Sequence, residues 1–293
     1  MQQKIFLLLL LFCSLVYGQA NLVPNPSFED ISQCPHASTG HIGFLNSWFS
    51  PVNSTPDVYN ACDISSGGFG VPVHFVYCYQ PARTADGYAG LYTYTYGVER
   101  KGEYIEAELK NKMEANKVYF VEMYVNAANA DNCAISSCFS DGVGLVFLDE
   151  KYTAFLDIKE KPPFKADIEN PSGNILNDTI NWVRIKGCYY ATGNERFIMI
   201  GNFKKNSETN SQGCVSVESS YLYIDDVGVY EFDPLPIPSS SVRDKPPRSG
   251  AVSSTVLTSG TPATPIAPSW LTSPASISSP SPSTTACCRI PSW

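Results

Sequence analysis

The feature that most restricts the fold of this chain is that its apolar residues recur at every second position over short stretches and never settle into a sustained helical period. In Val118-Tyr-Phe-Val-Glu-Met-Tyr-Val125, the residues Tyr119, Val121, Met123 and Val125 share one side and Glu122 lies on the other, which is the period of a half-buried strand. Val143 to Leu148, Trp182 to Lys186, Phe197 to Phe203 and Tyr221 to Phe232 are further short runs of aromatic and β-branched character. Turn residues separate them, Gly193-Asn194 between Tyr190 and Phe197 among them. Gly102 to Asn116 has helix-like charge spacing at Glu106, Lys110 and Glu114, yet Tyr104 to Leu109 reads as a strand and 111–117 as the turn that follows it. Many short strands with no helical stretch between them make an all-β chain, a β-sandwich of the jelly-roll kind.

The first residues carry an address. Gln2, Gln3 and Lys4 precede the unbroken apolar run Ile5 to Phe12, and Val16-Tyr17-Gly18 offers small or aliphatic residues where a signal peptidase reads. Residues 1–18 are therefore expected to be a secretory signal peptide cut after Gly18. The run is too short to span a bilayer, and bulky Phe12 argues against lipid attachment at Cys13. Nothing later resembles a transmembrane helix, so the mature protein is expected to be secreted or held at the cell surface or outer membrane by a partner. The net charge of −8 becomes −9 once Lys4 is removed. With no basic cluster, that charge argues against nucleic acid and anionic membrane as partners.

Export also decides how the cysteines are read. Of the ten, Cys13 leaves with the signal. Cys34, Cys62, Cys78, Cys133, Cys138, Cys188 and Cys214 remain in the body and Cys287 and Cys288 in the tail, all expected to form disulfides. The expected pairs are Cys133 with Cys138, Cys34 with Cys62, and Cys188 with Cys214. Cys78 is left over, free or paired with the tail or another chain. A zinc site is disfavoured, because there is no C-x-x-C pair and His36, His41 and His74 have no zinc-type spacing with the cysteines.

Composition changes near Pro234. From there Ser, Thr and Pro exceed half of the residues, a stretch that cannot bury a core and is expected to be a disordered tail over 234–293. Ala286-Cys287-Cys288-Arg289, Trp270 and the terminal Trp293 also fit a frameshifted or truncated gene end, and both readings stand. Residues 19–233 are long enough for one sizeable domain.

Several phrases in that body resemble, together, a jelly-roll module of exported proteins from gliding-type Gram-negative bacteria. They are Asn21-Leu-Val-Pro-Asn-Pro-Ser-Phe-Glu29, Trp48, the stretch from Thr55-Pro56-Asp57 to Cys62, Tyr79-Gln80 and Asp86-Gly87-Tyr88-Ala89-Gly90. Trp182-Val183 with Gly187, Ala191-Thr192-Gly193, Ile200-Gly201-Asn202-Phe203 and Tyr223-Ile224-Asp225-Asp226-Val227 follow in order. The closing phrase is similar to the end of carbohydrate-binding modules with a galactose-binding-like fold. The resemblance implies a non-catalytic sandwich of the kind found before OmpA-like or sorting domains. Two departures stand out: Cys78 occupies a position where glycine is expected, and the tail shows no second domain. Those carbohydrate-binding modules also suggest a structural Ca²⁺ joining the two chain ends through Glu29 and Asp225 or Asp226, since Ca²⁺ takes hard oxygen ligands. Adjacent strand residues point to opposite faces, so both aspartates could ligate only across a bulge.

No G-x-S-x-G, H-E-x-x-H or glycine-rich phosphate loop is present, and the acids lie mostly in turns or on alternating faces. A sugar offers an apolar face rimmed by hydroxyls, so its receptor needs aromatic rings beside polar groups. Tyr92, Tyr94 and Tyr96, following Tyr88, have i, i+2 spacing, and Tyr77 and Tyr79 form a second pair. These are the candidate ligand-binding rings; the competing reading is that they pack across strands. Trp48 and Trp182 are expected to anchor the core. The expected function is an exported non-catalytic binding module recognising a polysaccharide or other glycan at the cell surface. The alternative is a structural or adhesive module that contacts envelope proteins and has no small ligand. Amino-terminal sequencing of the exported protein is expected to begin at or beside Gln19, and a chain still starting at Met1 would refute the signal reading.

Overall fold

The computed structural model describes residues 19–36, 41–65, 68–74, 78–99, 102–128, 138–156, 160–215 and 218–232. The signal segment 1–18, Tyr77, Cys133 and the tail 234–293 lie outside these residues.

The strands, in chain order, are β1 (Trp48–Phe49), β2 (Asp57–Asn60), β3 (Val73–His74), β4 (Cys78–Tyr79), β5 (Gly87–Thr95), β6 (Ile105–Glu108) and β7 (Val118–Ala127). They continue with β8 (Phe139–Ser140), β9 (Gly144–Leu148), β10 (Ile168–Glu169), β11 (Val183–Tyr190), β12 (Phe197–Gly201), β13 (Ser211–Gln212) and β14 (Ser219–Phe232). Ten of them form two five-stranded antiparallel sheets, in the orders β1-β6-β12-β9-β10 and β11-β7-β14-β5-β2. The sheets pack face to face as a jelly-roll β-sandwich.

Alternation selects the inner faces. Tyr119, Val121, Met123, Val125 and Ala127 of β7, Leu222, Ile224, Val227 and Val229 of β14, and Ala89 and Leu91 of β5 meet Ile105 and Ala107, Leu145 and Phe147, and Ile198 and Ile200 of the other sheet. All are buried, and this layer is the main hydrophobic contribution to stability. Every residue of β9 and β12 is buried, however, because their outer faces are covered too. Residues 149–156 and 160–167 lay Tyr152, Leu156 and Phe164 over Tyr104, Val146, Leu148, Phe197 and Met199. On the far side of the sandwich, segment 61–85 lays Phe69, Val71 and Ala82 over a set of tyrosines.

The start of the body ties onto its last strand. The Leu22 amide donates to the Val229 carbonyl at 2.9 Å and the Val227 amide to the Pro26 carbonyl at 2.9 Å. Asn21 reinforces this join, its Nδ2 donating to the Val227 carbonyl and its Oδ1 accepting from the Val229 amide. Trp48 is buried, its ring 5.2 Å from that of Phe28, and its Nε1 donates to the Asn25 carbonyl.

The disulfides differ in part from the expected pairs. Cys34 is joined to Cys62, across 28 residues. Cys138 is joined to Cys214, across 76 residues, which corrects both the Cys133–Cys138 and the Cys188–Cys214 pairings. The reason is topological: β8 pairs with β13, setting Phe139 opposite Gln212, so each cysteine beside that ladder finds the other. Cys78 is not left over; it and Cys188 are both disulfide-bonded.

Two buried glutamates make the fold sensitive to pH. Glu103 accepts from the Thr55 amide and hydroxyl and from the Tyr92 amide, and burial pushes its pKa up to about 7. Glu106 accepts from the Tyr152 amide through Oε1, while Oε2 is buried with no partner among the described residues; burial pushes it, too, up to about 7. A carboxyl whose folded pKa lies above its unfolded value holds its proton longer in the folded state, so stability falls as pH rises through that window. The thermal midpoint is therefore expected to decline between about pH 4.5 and 7. Glu106→Gln should flatten the decline, and an unchanged slope in that variant would remove Glu106 as a cause.

Candidate functional site

The outer face of the β11-β7-β14-β5-β2 sheet carries an aromatic and polar layer. Successive alternate residues place Asp57 and Tyr59 on β2, Tyr88 and Tyr92 on β5, Tyr221, Tyr223 and Asp225 on β14, Tyr124 and Asn126 on β7, and Arg184 on β11. Tyr221 donates to Asp57 Oδ2 at 2.7 Å, and its oxygen lies 3.0 Å from the Tyr59 hydroxyl. Tyr223 pairs with His74 Nε2 at 2.6 Å, and Tyr88 donates to the Gln80 carbonyl. Burial pushes the phenols of Tyr59, Tyr88, Tyr221 and Tyr223 well above their usual range and takes His74 down to about 4. The layer is thus a hydrogen-bonded network, in which Tyr59, Tyr88, Tyr221 and Tyr223 are buried with Phe69 as a second core.

The expected ligand-binding tyrosines do not assemble there. Tyr92 is half-buried with its ring edge-on to Tyr221, centroids 4.8 Å apart. A bulge shifts the register between Ser220 and Tyr221, so Tyr92 pairs with Tyr221 but Tyr94 pairs with Ser220. Cross-strand partners share a face, which puts Tyr94 on the side opposite Tyr92, where it is buried. The i, i+2 argument fails at that extra residue. Tyr96 and Tyr79 are 41% and 64% exposed at separate places, Tyr96 just past the end of β5 and Tyr79 on the β3–β4 hairpin. Trp182 anchors this second core and not the one between the sheets: it is half-buried on the outer layer, its indole edge-on to Tyr88 and its Nε1 donating to the Pro81 carbonyl. The alternation Tyr221-x-Tyr223-x-Asp225 was the signal that could have exposed this layer from sequence.

The three expected metal ligands do converge, on the 83–87 turn. A bulge between Asp225 and Gly228, with Asp226 at φ 48°, lets both aspartates reach it. Asp225 Oδ2 accepts from the Arg83 and Thr84 amides and Oδ1 from the Asp226 amide. Burial, with Asp226 beside it, pushes Asp225 up to about 8. Asp226 accepts from the Ser27 and Thr84 hydroxyls and pairs with the Arg83 guanidinium. Glu29 accepts from the Asp86 and Gly87 amides. A Ca²⁺ ion would need about six to eight oxygens directed at it. These carboxylates are directed instead at N–H and O–H donors and one guanidinium, so the arrangement does not fit the ion.

An open groove lies on the other sheet's side, between the 161–166 part of its covering segment and residues 203–208 after β12. It comprises two depressions of about 460 and 520 Å³ that share Phe164, Phe203 and Lys205. Each ring is backed by another, Phe164 by Tyr152 at 5.1 Å and Phe203 by Tyr104 at 5.4 Å, so both are half-buried and held in place. Lys161, Lys165, Lys204, Glu99, Glu169 and Glu208 complete the rim. The size falls in the range of ordinary ligand sites, roughly 300 to 1,000 Å³. Rings beside hydrogen-bonding groups of both signs suit a molecule with an apolar face and polar edges.

No family model and no curated protein sequence matches the chain. Among solved structures, it is similar to the CBM22-1 xylan-binding domain of Paenibacillus barcinonensis Xyn10C, at 14% identity over 73% of this chain and 95% of that one, TM-score 0.34. The N-terminal cellulose-binding domain of Cellulomonas fimi β-1,4-glucanase C gives 10% identity over 64% and 91%, TM-score 0.31. The K2 cleaved adhesin domain of Lys-gingipain gives 8% over 71% and 97%, TM-score 0.33. Likenesses this distant carry no argument about ligand.

Proposed function

We propose that this chain is an exported, non-catalytic carbohydrate-binding module that holds a glycan in the groove between 161–166 and 203–208. The observation that carries the reading is the pair of half-buried rings that line the groove, Phe164 and Phe203, each backed by a buried or half-buried tyrosine and rimmed by lysines and glutamates. A pyranose would lay its apolar face on a ring and exchange hydroxyl hydrogen bonds with the rim. Export is supported by the signal-like first residues and by disulfides that belong to an oxidising compartment. At the 83–87 turn we propose Arg83 as the resident cation that neutralises Asp226, with its guanidinium carbon 3.4 Å from the Tyr124 ring centroid.

Affinity electrophoresis of the full chain through neutral and acidic soluble polysaccharides tests the first reading. At least one polysaccharide is expected to retard the protein, and Phe203→Ala should weaken that retardation about tenfold. If no polysaccharide slows the chain, the structural or adhesive envelope reading takes its place. For Arg83, Arg83→Met is expected to cost about 1 to 2 kcal/mol in urea unfolding, while Ca²⁺ or a chelator leaves the wild-type midpoint unmoved; a midpoint that climbs with Ca²⁺ would overturn the assignment.

A further inference from the structure

We infer that the groove's ligand is a carboxylate-bearing sugar, a uronate unit of an acidic polysaccharide, held by the ammonium groups of Lys165 and Lys205. This rests on the groove being the glycan site, and it follows from which of the rim charges are already spent.

The glutamates are engaged within the chain. Glu99 accepts from the Asn206 amide, Glu208 from the Lys205 amide, and Glu169 lies 3.8 Å from the Lys204 ammonium. The lysines are not matched in the same way. Lys204 serves Glu169 and the Asn170 carbonyl, but Lys165 and Lys205 form no ion pair among the described residues, and both are exposed. Among the described residues Lys161 donates to the Lys204 carbonyl, at 2.6 Å, and it is half-buried beside Pro162 and Phe203. Burial lowers its pKa to about 8, against the opposing pull of Glu99 and Glu208. Lys161 is thus matched by Glu99 and Glu208, and the open ammoniums are those of Lys165 and Lys205.

In a chain of net charge −8, this rim sets four lysines against three glutamates, and its two exposed ammoniums with no ion pair among the described residues favour an anion. A neutral sugar would leave those ammoniums unsatisfied by charge. A uronate would add charge-assisted hydrogen bonds to the stacking on Phe164 and Phe203. The pyranose and its carboxyl group are both needed: the rings recognise the first and the lysines the second.

The test is affinity electrophoresis and calorimetry of the full chain with polygalacturonate, with the same polymer after carboxyl reduction, and with xylan. Polygalacturonate is expected to bind, and reduction of its carboxyls should weaken binding at least about tenfold, the worth of one charged hydrogen bond. The exposed pair Lys165→Gln and Lys205→Gln, which cannot disturb the core, should cause a comparable loss. Lys112→Gln with Lys186→Gln, elsewhere on the surface, should not. Equal binding of the native and reduced polymers would overturn the uronate assignment while leaving the groove a glycan site. Polygalacturonate binding that ignores the Lys165/Lys205 variant but falls with Lys112/Lys186 would overturn it as non-specific charge attraction. Binding to none of the three polymers would overturn both readings.

Discussion

The pairing of β14 on both of its edges is the constraint from which the rest of the sandwich follows. It is the longest strand described, and it lies between β5 and β7 while its far end takes up the start of the body at Leu22 and Pro26. A strand so placed can spare no amide to water, so its inner residues must be apolar and its outer ones must find partners in whatever covers them. Its two irregularities carry consequences out of proportion to their size. The shift opposite Thr93 turns Tyr94 inward, and the bulge after Asp225 turns two neighbouring carboxylates toward one loop.

Both outer faces are roofed, and the two roofs differ chemically. Segment 61–85 covers tyrosines whose hydroxyls need acceptors, and it supplies His74 and the Gln80 carbonyl for that purpose. Segment 149–167 covers a mostly apolar face and leaves only Glu106 to be satisfied, which it does by half, through the Tyr152 amide. On the first face a dense polar network buries the tyrosines themselves. On the second, Phe164, packed onto the sheet, meets Phe203 at the segment's edge with Lys165 and Lys205 exposed beside them, and that edge makes the groove.

The sequence made the strands legible wherever one face met the core and the other did not. Val118 to Val125 is the clearest case, and Tyr104 to Leu109 was rightly taken as a strand against its helical charge spacing. That Trp182 packs on a core was legible, but which core was not, because a tryptophan bordering a strand looks the same from sequence whether it faces the other sheet or the covering segment. The Cys34–Cys62 pair was legible, but Cys138–Cys214 depended on the β8–β13 ladder, two-residue strands separated by about seventy residues, and such strands leave no periodic trace. The groove was invisible for a similar reason. Lys161 and Phe164 belong to one loop and Phe203 and Lys205 to another, and neither loop carries a pattern that announces the other.

The join between Leu22 and Val229 bears on how such a body would sit in a longer polypeptide. Chain enters and leaves the sandwich side by side, held by the two hydrogen bonds of Asn21. A domain with adjacent entry and exit adds almost no contour length to the chain that carries it. It hangs from the backbone like a pendant, displayed sideways, and a tether built from it would be no longer for its presence.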